Sequence, residues 1–234
     1  MSSQVVIVAL DLDPQRLSRC AALLDKEETQ RAGRFLRQAD RERFIASHAA
    51  LRVVLSHVLD LQPGEFRFGC EETGRPNLIA PSGSGLDFNL SHSGEIALVG
   101  FTREGRIGVD VEIRRPLPDA LRIARGHFAP EEVRALEDLP VSEREAAFFG
   151  LWTRKEAVVK ALGAGLSQPL SRFSVTVPPE PPALLKMASG TRSWTLTSLD
   201  LGPDAFATVA ITAPGLAIAH HTLTAGWADG FDAK

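Results

Sequence analysis

Residues 107–113 read Ile-Gly-Val-Asp-Val-Glu-Ile, an alternation of apolar residues with small or acidic ones. This period of two predicts a β-strand whose apolar face carries Ile107, Val109, Val111 and Ile113. Asp110 and Glu112 then share the other face about 7 Å apart, two residues along an extended strand. Such a pair indicates either a site for a hard divalent cation, Mg²⁺ or Mn²⁺, or a solvated acidic face. Gly108 on that face would leave room for a bulky ligand.

The strand at 107–113 starts the second of two series with the same order of elements. Before a turn at 102–105, we expect a strand, helices and short strands at 5–10, 14–61, 66–68, 88–90 and 96–101, with residues 69–85 as loop. After the turn, we expect strand 107–113, helices 118–125 and 143–162, and strands 173–177, 194–199 and 206–211. The repeated order predicts an α+β fold of two similar halves, 1–104 and 105–212, a pseudo-twofold duplication with a cleft between them. Residues 213–234 are expected to form a peripheral tail.

The composition disfavours several classes of protein. The 29 acidic and 26 basic side chains give a net charge of −3, unlike that of a polybasic nucleic-acid binder. Two cysteines, Cys20 and Cys70, are too few for a disulfide framework or a cysteine-rich zinc module. No apolar run approaches the ~18 residues of a transmembrane helix, and the apolar start lacks the basic flank of a signal peptide. We therefore expect a cytoplasmic protein that binds neither nucleic acid nor a membrane.

Lysine is scarce, and its placement is informative. Of the 26 basic residues only five are lysines, and Lys155 and Lys160 both lie in the stretch 151–166. Helical spacing puts Trp152, Glu156 and Lys160 on one face, with Lys155 beside them. The stretch indicates either an ordinary amphipathic helix with one Glu–Lys pair, or a third carboxylate and two ammonium groups completing a magnesium-diphosphate site. Two glycines end this helix, Gly163 and Gly165.

A third segment, Phe-Asn-Leu-Ser-His-Ser-Gly at 88–94, carries hydroxyl and imidazole groups. Ser91 and His92 are adjacent on a predicted strand and point to opposite faces, so they are not a nucleophile–base pair. They indicate either phosphate contacts near a strand end or a histidine satisfied by a neighbouring carbonyl. Because arginine forks onto phosphate oxygens, three arginines are further candidates: Arg31, Arg43 and Arg75.

Together and in this order, these segments resemble the 4′-phosphopantetheinyl transferase family, in its larger single-chain, surfactin-synthetase-activating type. The matching residues are Gly74-Arg75-Pro76, 88–93, 108–112 and Trp152-x-x-Lys155-Glu156-x-x-x-Lys160 with its trailing glycines. The resemblance implies a monomer of two similar α+β halves with coenzyme A held between them. It further implies transfer of the phosphopantetheine arm to a serine of an apo carrier protein (acyl, peptidyl or polyketide), releasing adenosine 3′,5′-bisphosphate.

The resemblance also implies roles for individual residues. The magnesium ligands would be Asp110, Glu112 and Glu156. The coenzyme contacts would be Lys155 and Lys160 at the diphosphate, Ser91 and His92 at the phosphates, Arg75 near the adenine or 3′-phosphate, and Arg31 and Arg43 from the N-terminal helices. Glu156, directly or through a metal-bound water, would be the base, with Lys160 and Asp110 as the other catalytic residues. Glu28 stands where family members often carry lysine.

Two other functions fit parts of the pattern. A metal-dependent phosphodiester hydrolase also gathers carboxylates and a lysine around Mg²⁺, but it usually places the later acid and lysine on a strand, and the negative net charge disfavours a DNA substrate. A non-catalytic module that only binds coenzyme A or a carrier protein would not need all three carboxylates. The sequence does not identify the carrier protein.

Overall fold

The computed structural model describes residues 3–10, 12–165, 168–187, 190 and 194–230. The elements up to the turn near 104 are β1 (Ser3–Ala9), α1 (Pro14–Leu23), α2 (Lys26–Ala32), α3 (Gln38–Leu59), β2 (Arg67–Cys70), β3 (Pro76–Ala80), β4 (Asp87–Ser93) and β5 (Ile96–Thr102). The later elements are β6 (Ile107–Ile113), α4 (Ala120–His127), α5 (Pro130–Asp138), α6 (Val141–Leu162), β7 (Ser174–Val175), β8 (Leu184–Lys186), β9 (Thr195–Asp200), β10 (Ala205–Ile211) and β11 (Ile218–Leu223).

Two sheets lie between two long helices. The first sheet has the strand order β11-β1-β5-β4 and the second has the order β6-β10-β9. Helix α3 packs on the first sheet through Ala50 and Val54, and α6 packs on the β6 and β10 strands of the second. The facing sides of the sheets form a core of their own, with Val5 and Leu98 from the first sheet among the buried residues of the second. Alternation along each strand supplies both faces with apolar side chains.

The predicted strand at 107–113 is present with these bounds as β6; Ile107, Val109 and Val111 are buried, and Ile113 at its end is half-buried. Gly108, however, faces the backbone of α6 and leaves no room for a ligand. A Cβ at this position would lie 2.0 Å from the Ala157 carbonyl oxygen and 2.4 Å from the Ala161 nitrogen. This glycine therefore allows α6 to approach the sheet closely, which is the usual reason for glycine within a strand.

The two sheets are joined by a ladder in which side chains of β4 accept hydrogen bonds from the backbone of β6. Asn89 Oδ1 accepts from Val109 N at 2.9 Å, and Ser93 Oγ accepts from Ile113 N at 3.1 Å. Asp87 and Ser91 extend the same alternation to Ile107 N and Val111 N. β6 is an edge strand of its own sheet. Because the polar side chains of β4 accept from its backbone N–H groups, these donors are satisfied without a neighbouring strand.

The predicted tail at 213–234 is not peripheral throughout. Residues 218–223 form β11, which pairs in parallel with β1 at the edge of the first sheet. Beyond it, Trp227 Nε1 donates to Ala9 O at 3.0 Å, and Asp229 pairs with Arg16 and Arg19. The end of the chain thus completes the sheet in which it began; residues 231–234 lie outside the described part.

The mixed α and β composition is confirmed, and most predicted elements are present. The loop predicted at 69–85 is wrong in part, because β2 and β3 form a hairpin there. The chain passes from the first sheet to the second at the turn near 104, while the duplication and its pseudo-twofold relation stay predictions. Over the described residues, no helix combines the length and apolar character needed to cross a membrane.

Candidate active site

A cavity of about 840 Å³ is lined by residues from both long helices. One part of its lining comes from α2 and α3 and includes Glu28, Arg31 and His48. Another part comes from β4, with Asn89 and His92, and a third from the end of α6: Lys160, Gly163 and Gly165. A volume of this size is within the usual range for cofactor sites. The residues from α6 lie next to the acidic face of β6.

Lys160 and Ser91 hold the Asp110 side chain in place. Lys160 Nζ donates to Asp110 Oδ1 at 2.6 Å, and Ser91 Oγ donates to the same oxygen at 3.1 Å. The Asp110 side chain is almost fully buried, yet its Oδ2 has no hydrogen-bond partner among the described residues. Since buried carboxylate oxygens are normally satisfied, Oδ2 indicates a place for a ligand.

Glu112 and Glu156 border Asp110. Burial raises the pKa of the Glu156 carboxyl, and the negative charges of Asp110 and Glu112 raise it further against the attraction of Lys160. Burial likewise raises the pKa of Asp110, which Lys160 opposes and Glu112 reinforces. These effects show that the negative charges of Asp110 and Glu112 act on the Glu156 carboxyl, and that of Glu112 on Asp110. That the three carboxylates share one ligand stays a prediction.

The donor set fits a hard divalent cation, although the carboxylates are not arranged as a ready metal site. Within the described ranges, no group of three or more His, Cys, Asp or Glu side chains has metal-binding geometry. Lys160 holds one oxygen of Asp110, and Arg115 Nη1 donates to Glu112 Oε2 at 2.9 Å. The unpartnered Asp110 Oδ2 and the mutual repulsion of the carboxylates are the features that a bound cation would relieve.

Comparison with known proteins places this arrangement in a family. A family profile described as the 4′-phosphopantetheinyl transferase superfamily matches residues 106–213, and one described as 4′-phosphopantetheinyl transferase, N-terminal, matches residues 13–102. The 4′-phosphopantetheinyl transferase HetI of Nostoc sp. is 36% identical over 209 residues, which cover 89% of this chain and 86% of HetI. The chain belongs to the 4′-phosphopantetheinyl transferase superfamily.

A second relative supports membership of the same family. The 4′-phosphopantetheinyl transferase Sfp of Bacillus subtilis is 31% identical over 164 residues, which cover 70% of this chain and 71% of Sfp. The resemblance seen in the sequence is thereby confirmed. The comparisons do not favour a phosphodiester hydrolase or a non-catalytic binding module.

Lys155 of this transferase does not reach the cavity, in contrast to its predicted contact with the diphosphate. Its side chain is 0% exposed, and Nζ lies 2.6 Å from both carboxylate oxygens of Glu132 and 2.8 Å from Phe173 O. All three ammonium protons are thus used by α5 and the segment before β7. Lys155 connects α6 to these elements, whereas Lys160, one turn later, lines the cavity.

Ser91 and Arg75 were also predicted to contact the coenzyme, but their side chains hydrogen-bond mainly within the protein. Ser91 is buried in the ladder, where its hydroxyl donates to Asp110 and accepts from Lys160 Nζ at 2.9 Å, so it positions these two groups. Arg75 lines the cavity, but its guanidinium donates to Asp87 Oδ2 at 2.6 Å, to Ile107 O at 2.8 Å and to Lys160 O. Arg75 therefore joins β4, β6 and α6.

The remaining predicted contacts differ in their access to the cavity. Arg31 lines it, with its guanidinium 5.2 Å from the ring centroid of Phe44. Arg43 is not part of the lining; its Nε donates to Gly94 O at 3.1 Å and Nη1 lies 3.4 Å from Asp40. His92 lines the cavity, and burial lowers its pKa, as do the charges of His48, Lys160 and Arg43. The lowered pKa favours the neutral form of the His92 ring in the free protein.

Sequence reasoning missed the roles of Glu28 and His48, which line the cavity, and of Arg52, which is buried and pairs with Glu28. The signal for Glu28 was present, because Asp25-Lys26-Glu27-Glu28 has the spacing of a capping box. Asp25 Oδ1 accepts from Glu28 N at 2.9 Å, and Glu28 Oε2 accepts from Asp25 N at 3.1 Å. A glutamate at the third helical position commonly does this. Glu28 thus completes the N-terminal cap of α2, which a lysine could not do because its side chain has no acceptor.

Proposed function

We propose that this protein transfers the 4′-phosphopantetheine group of coenzyme A to a serine of an apo carrier protein and releases adenosine 3′,5′-bisphosphate. The observation that carries the proposal is the position of Lys160, which lines the cavity and also donates to Asp110, beside Glu112 and Glu156. Through Lys160, the cavity is therefore continuous with this group of charged side chains. We propose that the enzyme acts as a monomer, since the cavity lining, from Asp25 to Gly165, comes from a single chain.

Asp110, Glu112 and Glu156 would hold a Mg²⁺ ion, or Mn²⁺ in its place. When bound, this ion would neutralise charge on the diphosphate of coenzyme A. Asp110 would offer Oδ2, since Lys160 already occupies Oδ1. Glu112 is anchored from one side by Ser93 and Arg115, which leaves its other oxygen without a protein partner among the described residues. Hard carboxylate oxygens are the ligands this ion prefers.

The reaction breaks the phosphoanhydride bond of the coenzyme diphosphate and forms a phosphodiester bond to the carrier serine. The carrier serine oxygen forms a bond to the β-phosphorus of the diphosphate, and the bond from that phosphorus to the bridging oxygen breaks. The serine proton moves to Glu156, the candidate base. Lys160, whose three ammonium protons are donated to Ser91 Oγ, Val109 O and Asp110 Oδ1, would stabilise the oxygens that gain charge through its positive charge. Positioning and electrostatics therefore supply the catalysis, as is usual in phosphoryl transfer.

The test is incubation of the protein with coenzyme A, Mg²⁺ and a panel of apo acyl, peptidyl and polyketide carrier proteins. We expect at least one carrier to gain one phosphopantetheine group at its serine, measured by intact mass and by peptide mapping. The same carrier with its serine replaced by alanine should stay unmodified. Coenzyme binding with no modification of any carrier would contradict the proposal.

His92 is expected to act in binding, because it lines the cavity and has no catalytic partner in the described structure. The substitution His92→Ala should raise KM for coenzyme A about tenfold while kcat changes by less than about threefold. His221→Ala, on the exposed strand β11, serves as the control. Steady-state kinetics in which kcat falls and KM stays constant would assign His92 to the chemical step instead.

A further inference from the structure

A carboxylate–imidazole pair forms part of the cavity wall between α2 and α3. His48 Nδ1 lies 3.0 Å from Glu28 Oε1, and both residues line the cavity. The Glu28 side chain is 9% exposed and that of His48 is 18% exposed. The pair lies on the part of the wall contributed by α2 and α3, whereas the carboxylates of the proposed metal site belong to β6 and α6.

Three of the about four acceptor sites of the Glu28 carboxylate are used within the protein. Its Oε2 accepts from Arg52 Nε at 2.7 Å and from Asp25 N at 3.1 Å, while Oε1 faces His48. Burial acts to raise the pKa of Glu28, but the hydrogen bond from His48 and the charges of Arg52 and His48 outweigh it, so the pKa is lowered. Glu28 is therefore an ionised, fixed acceptor for the imidazole.

Two contacts fix the orientation of the His48 ring. Nδ1 is held by Glu28, and the ring stacks on Phe44 with centroids 3.9 Å apart. Arg31 covers Phe44 in turn, at 5.2 Å from its centroid. Nε2 of His48 has no hydrogen-bond partner in the part of the chain that the structure describes. A histidine bound at one nitrogen by a carboxylate presents the other nitrogen in a fixed direction and is stabilised in its charged form.

The surrounding charges favour an anion at this position. The cationic groups that face the pair are Arg31 from α2, Arg34 from the following loop, Arg52 from α3, His92 from β4 and Lys160 from α6. The acidic groups are Asp25, Glu27 and Glu28, together with Asp40 near His92. Of these acidic groups, Asp25 and Glu28 are paired with the fully buried Arg52. Lys160 is paired with Asp110 and Asp40 with Arg43, so among the described groups without an ion pair Arg31 and Arg34 outweigh Glu27 by one charge.

We propose that His48, held by Glu28, donates a hydrogen bond from Nε2 to a phosphate group of the bound coenzyme. This inference rests on the proposed function, since it requires that the cavity binds coenzyme A. It also explains the glutamate at position 28. Instead of contacting the coenzyme, Glu28 holds a cationic imidazole on the neighbouring helix, so that the positive contact comes from α3 and not from α2.

The proposal defines which form of the imidazole makes the contact. With Nδ1–H directed to Glu28, a neutral His48 presents a lone pair at Nε2 and repels a phosphate oxygen, whereas the charged ring donates to it. His48→Arg replaces the imidazole by a permanent cation and should retain the positive contact.

The experiment is calorimetric titration of wild type, His48→Gln and His57→Gln with coenzyme A and with 3′-dephospho-coenzyme A at pH 6.5. His57 is a matched control, because it lies on α3 but is exposed and outside the cavity lining. We expect His48→Gln to weaken coenzyme A binding about tenfold or more, the worth of a charge-assisted hydrogen bond, and His57→Gln to leave it unchanged. A loss for both ligands assigns the contact to the diphosphate, and a loss for coenzyme A alone assigns it to the 3′-phosphate.

The outcomes separate this inference from the function on which it rests. Wild type that fails to bind coenzyme A would overturn the proposed function. Wild type that binds, with His48→Gln equal to it for both ligands, would overturn only the role of His48. His48→Arg provides an independent readout: its affinity for coenzyme A should exceed that of His48→Gln, because the guanidinium supplies a permanent cation at this position.

Discussion

Replacing Asp110 by asparagine is expected to lower the rate of carrier modification by about a thousandfold or more. The substitution keeps the shape of the side chain but removes the charge that pairs with Lys160 at 2.6 Å and the buried, unpartnered Oδ2. A neutral amide oxygen is a much weaker ligand than a carboxylate for a hard divalent cation. The rate is measured from the intact mass of an apo carrier protein over time, with coenzyme A and Mg²⁺ in excess.

The control for this variant is Asp204→Asn, because Asp204 is exposed and its side chain contacts none of the described residues. It should be as active as wild type. Circular dichroism of Asp110→Asn should show a folded protein, which separates a lost metal ligand from a lost fold. A folded Asp110→Asn enzyme within tenfold of the wild-type rate would contradict the assignment of Asp110.

Replacing Lys155 by methionine is expected to reduce the free energy of unfolding by about 3–5 kcal/mol, because Glu132 would be left as a buried charge without its partner. For a chain of this size, such a loss lowers Tm by about 10 °C. Lys155 Nζ and both Glu132 oxygens are 2.6 Å apart, and both side chains are almost completely buried. Thermal unfolding measures the effect.

The kinetics of Lys155→Met distinguish a structural lysine from a coenzyme contact. At a temperature where the variant is folded, KM for coenzyme A should match that of wild type, since Lys155 does not line the cavity. The exposed Lys186 provides the control substitution, Lys186→Met, which should change neither Tm nor KM. A stable Lys155→Met protein with a strongly raised KM would show that Lys155 binds the diphosphate after all.

Local periodicity was sufficient to predict the parts of the site that lie on single elements. The strand at 107–113 and the helical spacing of Glu156 and Lys160 follow from the sequence, and the structure brings Asp110 next to Lys160 as the pattern indicated. The resemblance to a known family supplied the connection between these segments. Without it, the acidic strand and the helix each had an ordinary structural interpretation.

The rest depended on contacts between distant parts of the chain. Lys155 pairs with Glu132, 23 residues earlier on a short helix that the sequence did not predict. Ser91 was expected to meet a phosphate, but the polar alternation of β4 serves the backbone of another sheet. Nothing in residues 218–223 alone indicates a parallel pairing with β1. In each case the partner is set by packing of the whole chain and not by local pattern.

The central claim is that Asp110, Glu112 and Glu156 hold one divalent cation beside the bound coenzyme. The most direct measurement is an anomalous difference map from crystals of the protein grown with coenzyme A and Mn²⁺. The account predicts a single strong peak within coordination distance of an oxygen of each of the three carboxylates and of the coenzyme diphosphate. A bound coenzyme with no peak among these carboxylates would contradict it.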